Sequence, residues 1–324
     1  MCQEALPEII EGFFVYLENI QGKSPNTVKE YFYDLRTFFR FLKVKRGIAD
    51  VEDMGSIKIN DIDLQFIKSI NLNDLYAYMS FLSNQKHNNA RTRARKVASI
   101  KTFFKYLTNK AKLLNVNPAA ELESPKIGSR NPVYLSLDES RELLDAVSGP
   151  FKERDYAILT LFLNCGLRLS ELVGINISNI KDDTLKVIGK GNKERTVYLN
   201  DACLEAIEAY LKVRPHDGIK DKDALFLSKL KKRISPKTVQ FIVKKYISNA
   251  GLDSKKYSAH KLRHTAATLI YKYGDIDIRT LQQVLGHENI STTQIYTHVD
   301  NEMVRHAINS NPLAKNNDIE KNDD

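Results

Sequence analysis

The chain has 324 residues, of which 42% are hydrophobic and 27% are charged, and its formal net charge is +9 at pH 7. This length and composition indicate a folded protein of about two domains, with an excess of positive charge that favours an anionic partner. They exclude a low-charge fibre and a disordered acidic chain.

The three cysteines, Cys2, Cys165 and Cys203, are scattered along the chain and include no CxxC pair. They predict neither a disulfide framework nor a metal site, and a reducing environment suits them. The first residues include acidic side chains where a secretory signal needs positive charge. No apolar run approaches the roughly 18 residues that span a bilayer. We therefore expect a cytoplasmic protein without a membrane partner.

The first part of the chain is predicted to be helical. Apolar residues recur there at spacings of three and four, the pattern of an amphipathic helix with one buried face. The second helix begins after Ser24-Pro25, an N-cap followed by proline at the first helical position, and ends before Gly47. Residues 48–70 show no consistent pattern. The four predicted helices cover residues 8–20, 25–46, 72–82 and 89–110.

Positive charge is concentrated in two segments of the sequence. Eight basic residues and no acidic one lie between Arg91 and Lys112, and seven basic residues and no acidic one lie between Lys229 and Lys245. The remainder of the chain is net negative. The two segments are therefore stronger evidence for an anionic partner than the overall charge is.

The two predicted domains are separated by a segment without helical or strand periodicity. Residues 115–134 contain three prolines and are predicted to be a linker. The first domain is then a helical domain over residues 1–114, and the second covers residues 135–310. Residues 311–324 are polar and rich in asparagine, and we predict a disordered tail there.

The second domain is predicted to be mainly helical with a small β-sheet. A capping box at 136–139 begins its first helix, and a buried helix over 155–165 stops at Gly166. Residues 184–199 predict two short strands around a turn at 189–192. The expected fold class of the chain is therefore mainly α, with a helical domain followed by a mixed α/β domain.

Most of the chemically reactive side chains, taken singly, have an ordinary structural interpretation. Arg168 follows a helix-ending glycine and would pair with Glu171 at the surface. Lys190 lies in a glycine-rich turn that lacks the spacing of a P-loop. His287 follows a glycine in a predicted loop, and Tyr296 is typical of a half-buried packing residue.

His260 and Arg263 form the clearest single candidate site. They lie three residues apart at the start of a helix predicted to follow Ser258, where free N–H groups and the helix dipole attract an anion. A metal site is the alternative, because His260 and His264 are four residues apart. Lys261 and Arg263 would repel a cation, however, and no glutamate stands where an HExxH motif has one.

Together these side chains indicate chemistry at a phosphodiester. A free tyrosine has a pKa of about 10 and is a weak nucleophile at neutral pH, so its attack requires that charge on the phosphate be neutralised. Arginines suit that role, because they are always charged and bind two oxygens at once. A histidine can hold or accept a proton, and a lysine can protonate a leaving oxygen.

The sequence resembles the tyrosine recombinases, also called the phage integrase family, and within it the Xer group. The catalytic resemblance covers about residues 135–309, and the helices over 8–110 fit the core-binding domain of that family. The most specific match is the last one, because Gly-His and a tyrosine occur at the expected separation. The matching strings are the segment 165–172, GKGNKER at 189–195, HKLRHTAAT at 260–268 and LQQVLGHENISTTQIYTHV at 281–299.

The resemblance implies a DNA strand-transfer enzyme in which Tyr296 is the nucleophile. Tyr296 would attack the scissile phosphate and form a 3′-phosphotyrosyl link, while Arg168 and Arg263 would bind the non-bridging oxygens. His260 would assist proton transfer from Tyr296. Lys190 would be the general acid to the 5′-oxygen. The phosphotyrosine keeps the energy of the broken bond, so no ATP, metal or other cofactor is expected.

The resemblance further implies that His287 supports the phosphate by hydrogen bonding and that the partner is double-stranded DNA carrying a specific recombination site. Family members act as tetramers, so we expect a homo-tetramer or a hetero-tetramer with a second recombinase. Residues 302–309 are predicted to be exchanged between protomers. The residues predicted to contact DNA are Arg91, Arg93, Arg95, Lys96, Lys101 and Lys237.

Three other functions stay open from the sequence. A non-catalytic DNA-binding protein would form no covalent adduct, a type IB topoisomerase would relax plasmids at many sites as a monomer, and a metal-dependent nuclease would be inhibited by EDTA. Within the recombinases, chromosome dimer resolution, movement of a mobile element and plasmid resolution use the same catalytic residues. The segment 48–70 departs from the most compact members of the group.

Overall fold

The computed structural model describes residues 6–50, 52, 54–128, 132–189 and 193–299, with the backbone alone for 297–299. The chain divides into two units, Met1–Ser129 and Arg130–Asp324. Across the described residues, no helix combines the length and the apolar character needed to cross a bilayer. The predicted tail at 311–324 and the predicted exchanged segment at 302–309 lie outside the described residues.

The described part of the first unit is helical. The helices found lie within two residues of the four predicted ones, and α3 is an additional short helix inside the segment 48–70. Ser24, Asp63, Asn71 and Asn89 cap α2 to α5 by accepting a backbone N–H of the first turn. The helices are α1 Glu8–Val15 with a π-helical continuation over Tyr16–Ile20, α2 Pro25–Lys45, α3 Leu64–Lys68, α4 Leu72–Asn84 and α5 Ala90–Asn109.

The core of the first unit is rich in aromatic side chains and extends past α5. Phe39 and Phe103 meet edge to face with 5.9 Å between ring centroids, an arrangement that adds to the gain from burial. Ala119 and Leu122 are buried in the same core, whereas Leu135 belongs to the core of the second unit. The predicted linker at 115–134 therefore begins with residues that pack on the first unit, because its apolar side chains are removed from water there.

The second unit contains helices around a small antiparallel sheet. The sheet has the order β1-β2-β3, and Leu185 of β2 lies opposite Val197 of β3, both facing the core. The two predicted strands are β2 and β3, and β1 is an additional two-residue strand. The elements are α6 Leu137–Asp145, α7 Lys152–Cys165, α8 Leu169–Val173, β1 Ile180–Lys181, β2 Thr184–Ile188, β3 Glu194–Tyr198, α9 Asp201–Val213, α10 Pro236–Asn249, α11 Ala259–Tyr273 and α12 Ile278–Leu285.

A close approach at Gly166 brings three parts of the second unit together. Gly166 ends α7 in the left-handed conformation with φ +57°, and a Cβ on it would lie 3.0 Å from a methyl carbon of Leu285. The loop after α7 therefore meets the end of α12, and α11 packs against both α7 and α12. Two short 3₁₀ helices, Ile290–Thr292 and Gln294–Val299, follow α12.

Candidate active site

A cavity of about 750 Å³ opens in the second unit, and five of the six predicted catalytic side chains line it. The sixth, Lys190, lies outside the described residues. Gly189 and Lys193, on either side of residues 190–192, line the cavity as well. The structure therefore brings together residues that are far apart in the sequence. The five described side chains are Arg168, His260, Arg263, His287 and Tyr296.

Arg263 is a buried arginine, with 4% of its surface exposed. It lies in the second turn of α11, and its two terminal nitrogens donate to the carbonyl oxygens of Gly166 and Leu285, each at 2.6 Å. Burial, and next the charge of Arg168, lower the pKa of Arg263 to about 10, so the group stays charged at neutral pH. A fixed cation at the floor of a cavity suits an anionic ligand.

Arg168 precedes α8 and is held by a carboxylate and by a carbonyl. Its Nη1 donates to Glu171 Oε1 at 2.7 Å, and its Nη2 donates to the carbonyl oxygen of Gly286 at 2.8 Å. Its backbone N–H donates to the other oxygen of Glu171 at 2.8 Å. The pairing expected from the sequence is present, but Glu171 is buried and is not a surface partner.

Glu171 also binds Arg195, a residue that the sequence analysis assigned no role. Arg195 Nη2 donates to Glu171 Oε2 at 2.9 Å, and its Nη1 donates to the carbonyl oxygen of Val284 at 2.8 Å. Burial raises the pKa of the Glu171 carboxyl, but the hydrogen bonds and charges of Arg195 and Arg168 outweigh burial and hold the pKa below its usual value. The carboxylate is therefore ionised and orients two arginines.

Tyr296 lies in the second 3₁₀ helix after α12 and is 1% exposed. Its ring packs against Ala267, Leu281 and Leu285, and its hydroxyl lies 2.6 Å from Nδ1 of His264. Burial raises the pKa of Tyr296 to about 12, although the charge of Arg263 works to lower it, so the hydroxyl is protonated at neutral pH.

His260 and His287 border the same cavity from different elements. The His260 ring meets the His264 ring edge to face, with 4.5 Å between centroids. His287 follows α12, and its Nδ1 lies 2.9 Å from Thr293 Oγ1. Burial, with the charges of Arg263 and Arg168 next, lowers the pKa of His287 to about 4, so its ring is neutral at pH 7.

The cavity therefore combines fixed positive charge with neutral imidazoles and a protonated tyrosine. Arginines can bind the non-bridging oxygens of a phosphate, and their charge favours the transition state of attack on phosphorus. Among the described residues, no three histidine, cysteine, aspartate or glutamate side chains come together to bind a metal ion. The metal-site alternative at His260 and His264 gains no further ligand from these residues.

The predicted DNA-contacting residues of α5 differ in their surroundings. Arg91 and Arg95 are exposed. Lys96 is only 8% exposed, because its Nζ donates to Asp34 Oδ1 at 2.9 Å inside the first unit. Arg95 Nη1 donates to the other oxygen of Asp34 at 2.6 Å. Lys96 is therefore a structural ion-pair partner in this structure and not a surface cation.

Two of the remaining predicted DNA-contacting residues donate to backbone carbonyls, and the third is exposed. Lys101 donates to the carbonyl oxygen of Leu122 at 2.8 Å, and Arg93 donates to the carbonyl oxygen of Asn88 at 2.9 Å. Lys237 lies in the first turn of α10 and is exposed. Of the six predicted residues, Arg91, Arg95 and Lys237 are the exposed ones.

Three residues at the site received no functional role from the sequence: Arg195, His264, and Glu171, which was expected only as a surface partner of Arg168. Glu171 and Arg195 lie in segments that carry the family resemblance, but their place in the site depends on packing that no local pattern reveals. His264 was considered only as a metal ligand beside His260. Its position one residue after Arg263 placed it near the site, yet its partner Tyr296 is 32 residues away in the sequence.

Two family models match this chain. The Phage integrase family matches residues 134–303, and the N-terminal SAM-like domain of phage integrases matches residues 10–111. The first covers the part of the chain that holds the cavity. The second covers the helical first unit.

Similar curated proteins are recombinases. The chain is 61% identical over 310 residues to "Tyrosine recombinase XerC" of Caldanaerobacter subterraneus subsp. tengcongensis, with 95% of this chain and 88% of that protein covered. It is 36% identical over 312 residues to "Tyrosine recombinase XerD" of Proteus mirabilis, covering 94% and 92%. Among solved structures, the XerH site-specific recombinase in a post-cleavage complex with its difH substrate has the same fold, with a TM-score of 0.68 at 20% identity over 95% of this chain and 99% of that one.

Proposed function

This chain belongs to the phage integrase family as a Xer-like tyrosine recombinase, and we propose that Tyr296 is the residue through which it cuts and rejoins DNA. One observation carries this assignment: the Tyr296 side chain lines the same cavity as Arg168, Arg263 and His287. A tyrosine beside fixed cations can attack a phosphate whose charge those cations neutralise.

In the proposed reaction, Arg168 and Arg263 bind the non-bridging oxygens of the scissile phosphate. The Tyr296 oxygen attacks phosphorus, a 3′-phosphotyrosyl bond forms, and the bond to the 5′-oxygen breaks. Lys190 gives a proton to the departing 5′-oxygen. The 5′-hydroxyl of another strand then attacks the phosphotyrosine and completes the exchange, so the energy of the original bond is conserved.

His287 has the geometry to support the bound phosphate. Its Nδ1 is engaged with Thr293, which fixes the ring and leaves Nε2 for another partner. A neutral imidazole that carries its proton on Nε2 donates a hydrogen bond and adds no charge. We assign His287 to a phosphate oxygen, with the tautomer inferred from this role.

The proposed substrate is double-stranded DNA with a specific recombination site, bound by a recombinase tetramer in the cytoplasm. Chromosome dimer resolution is the favoured process, because the similar proteins from C. subterraneus and P. mirabilis are named XerC and XerD. Arg91, Arg95 and Lys237 are the proposed phosphate contacts, since all three are exposed. Phosphate contacts position a protein on DNA, and the base contacts that select a site are separate from them.

Covalent adduct mapping tests the proposal. Wild type, Tyr296→Phe and Tyr271→Phe are expressed in a bacterial host that carries genomic DNA of the organism that encodes this chain. Covalent protein–DNA complexes are trapped by denaturation, and the DNA ends attached to the protein are sequenced. Tyr271 is the matched control, because it also lies against the small apolar cluster around Tyr296. We expect adducts at one recurrent site with wild type and Tyr271→Phe and none with Tyr296→Phe.

The same experiment separates the other functions. Adducts scattered over many sites would support a topoisomerase, and DNA binding without any adduct would support an accessory protein. Cleavage that EDTA abolishes would support a metal-dependent nuclease. The genes that flank a recurrent site would distinguish chromosome resolution from movement of a mobile element.

A further inference from the structure

The hydroxyl of Tyr296 has a hydrogen-bond partner that the family motif did not suggest. Its oxygen lies 2.6 Å from Nδ1 of His264, whereas His260 contacts the ring of His264. A group that is to accept a proton must lie within hydrogen-bond reach of it, and 2.6 Å meets that condition. We propose that His264 is a catalytic residue, the base that takes the proton of the Tyr296 hydroxyl as its oxygen attacks phosphorus.

The protonation states of the free protein are the starting states of this transfer, although the gap between the two pKa values opposes it. Burial first, and then the charges around it, lower the pKa of His264 to about 4, while burial raises that of Tyr296 to about 12. At neutral pH the imidazole is therefore neutral and the phenol keeps its proton. A neutral imidazole whose ring proton is on Nε2 can accept a hydrogen bond, and then the proton, from a hydroxyl at Nδ1.

The proton balance of the step is complete within the site. The O–H bond of Tyr296 breaks and an N–H bond forms at His264 Nδ1 while the new P–O bond forms. The P–O bond to the 5′-oxygen breaks, and that oxygen takes its proton from the general acid proposed above. In rejoining, the imidazolium of His264 returns the proton to the leaving phenolate.

Bound DNA would make His264 a stronger base. The groups that lower its pKa are His260, Lys261 and Arg263 on α11 and His287 after α12. A phosphate in the cavity brings negative charge next to these groups, and negative charge raises the pKa of an imidazole. The base is thus weak in the free protein and gains strength when substrate is present.

The test measures adduct formation by purified full-length protein on a nicked duplex that carries the site recovered by adduct mapping. His264→Asn keeps an acceptor near the position of Nδ1 but cannot take a proton. His260→Asn on the same helix is the comparison, because the resemblance gives this proton transfer to His260. At pH 7 we expect His264→Asn to slow adduct formation by about 100-fold or more, and His260→Asn to slow it less. Binding of the uncleaved duplex should be retained by both variants.

Two further readouts separate proton transfer from a purely structural role. With neutral His264 as the base, the wild-type rate should be nearly constant above pH 7. The His264→Asn rate should rise about tenfold per pH unit as hydroxide replaces the base. A duplex with sulfur in place of the bridging 5′-oxygen needs no general acid, so it should not restore the His264→Asn rate.

Three results would overturn the inference. One is a His264→Asn rate within about threefold of wild type at pH 7, far from the loss expected for a missing base. Another is full recovery of that rate on the sulfur-containing duplex. The third needs no variant: nitrogen NMR of the wild-type histidines that places the ring proton of His264 on Nδ1, where it could not accept from Tyr296.

This inference rests on the proposed function, because it requires Tyr296 to be the nucleophile. The two fail differently. If wild type forms no adduct that Tyr296→Phe abolishes, the proposed function fails. If wild type forms that adduct and His264→Asn forms it equally fast, only the assignment of His264 fails.

Discussion

A carboxylate with no exposed side-chain surface lies against two arginines of the site. Glu171 binds the guanidinium of Arg168 through one oxygen and that of Arg195 through both. Four further donors of these arginines and of Arg263 go to backbone carbonyls, so each guanidinium is fixed at more than one point. The arginines therefore need no reorganisation when a phosphate binds, which is how fixed charge assists catalysis.

Glu171→Gln should strongly destabilise the folded protein although it hardly changes the size of the side chain. The substitution keeps the shape of the side chain but leaves two partly buried arginines without the buried counter-charge, and breaking such a pair costs about 3 kcal/mol. We expect that loss in urea unfolding, together with slower adduct formation. Glu288→Gln is the control, since Glu288 pairs with Lys193 at the surface and little change is expected.

The stability difference between wild type and Glu171→Gln should depend on pH. The pKa of Glu171 is lowered in the folded protein, so its contribution is fully present above the unfolded pKa of about 4.3 and is lost as pH falls through the folded value. The unfolding free energies should therefore converge below about pH 4 and stay parallel from pH 6 to 8. A difference that is unchanged at low pH would mean that packing, and not charge, is lost.

The site residues differ in how far the sequence could predict them. Arg168 and Glu171 are three residues apart at a helix start, so their pairing follows from local spacing. The contact of His264 with Tyr296 does not, because it depends on how the 3₁₀ turn after α12 packs against α11. The family resemblance gave the proton transfer from Tyr296 to His260. In the structure, the ring of His260 contacts the ring of His264, and His264 contacts the Tyr296 hydroxyl.

At the scale of elements, the end of α12 contains a glycine that leaves no room for a side chain without a shift of its neighbours. Gly286 ends the helix with φ +62°, and a Cβ there would lie 2.5 Å from Arg195 Cδ and 3.0 Å from its Nε. Its carbonyl oxygen also accepts from Arg168. The end of α12, Arg195 of β3 and Arg168 before α8 are thus packed closely against one another.

Gly286→Ala should therefore affect both stability and catalysis. Gly251 also has a positive φ, +72°, but nothing lies within 4 Å of the place where its Cβ would be, so Gly251→Ala reports backbone strain alone. We expect Gly286→Ala to lose at least about 1 kcal/mol more than Gly251→Ala in urea unfolding, the added cost of overpacking. Adduct formation should slow only in Gly286→Ala, and equal effects of the two substitutions would contradict this account.

The helices were largely predictable because their signals are local. The side-chain caps at Ser24 and Asn89 and the glycine after α12 mark helix ends directly. The environment of Lys96 was not predictable in the same way. It lies in a basic segment, yet the carboxylate that holds it, Asp34, comes from α2 and is 62 residues away in the sequence.

At the scale of the whole molecule, the net charge of +9 overstates the positive charge available to DNA. Some basic side chains form ion pairs within a unit. Lys96 pairs with Asp34, and Arg154 pairs with Asp155 at 2.8 Å between their nearest charged atoms. Only cations that meet phosphates release counterions, and the number released sets how steeply binding falls with salt. The salt dependence of DNA binding therefore reports the number of cations that contact phosphate, and cations paired inside the protein do not contribute to it.

Arg91→Ala and Lys96→Met should separate these two kinds of cation. Arg91 is exposed, so its loss should weaken binding to the recovered site and reduce the slope of log K against log salt by about 1. Lys96→Met keeps the apolar stem but removes the charge beside buried Asp34, so it should lower the unfolding free energy by about 1–3 kcal/mol and leave the slope unchanged. Fluorescence titrations at several salt concentrations, with urea unfolding of the same samples, measure both quantities. A reduced slope in Lys96→Met at unchanged stability would mean that Lys96 leaves Asp34 and meets a phosphate when DNA binds, and α5 would then change its contacts on binding.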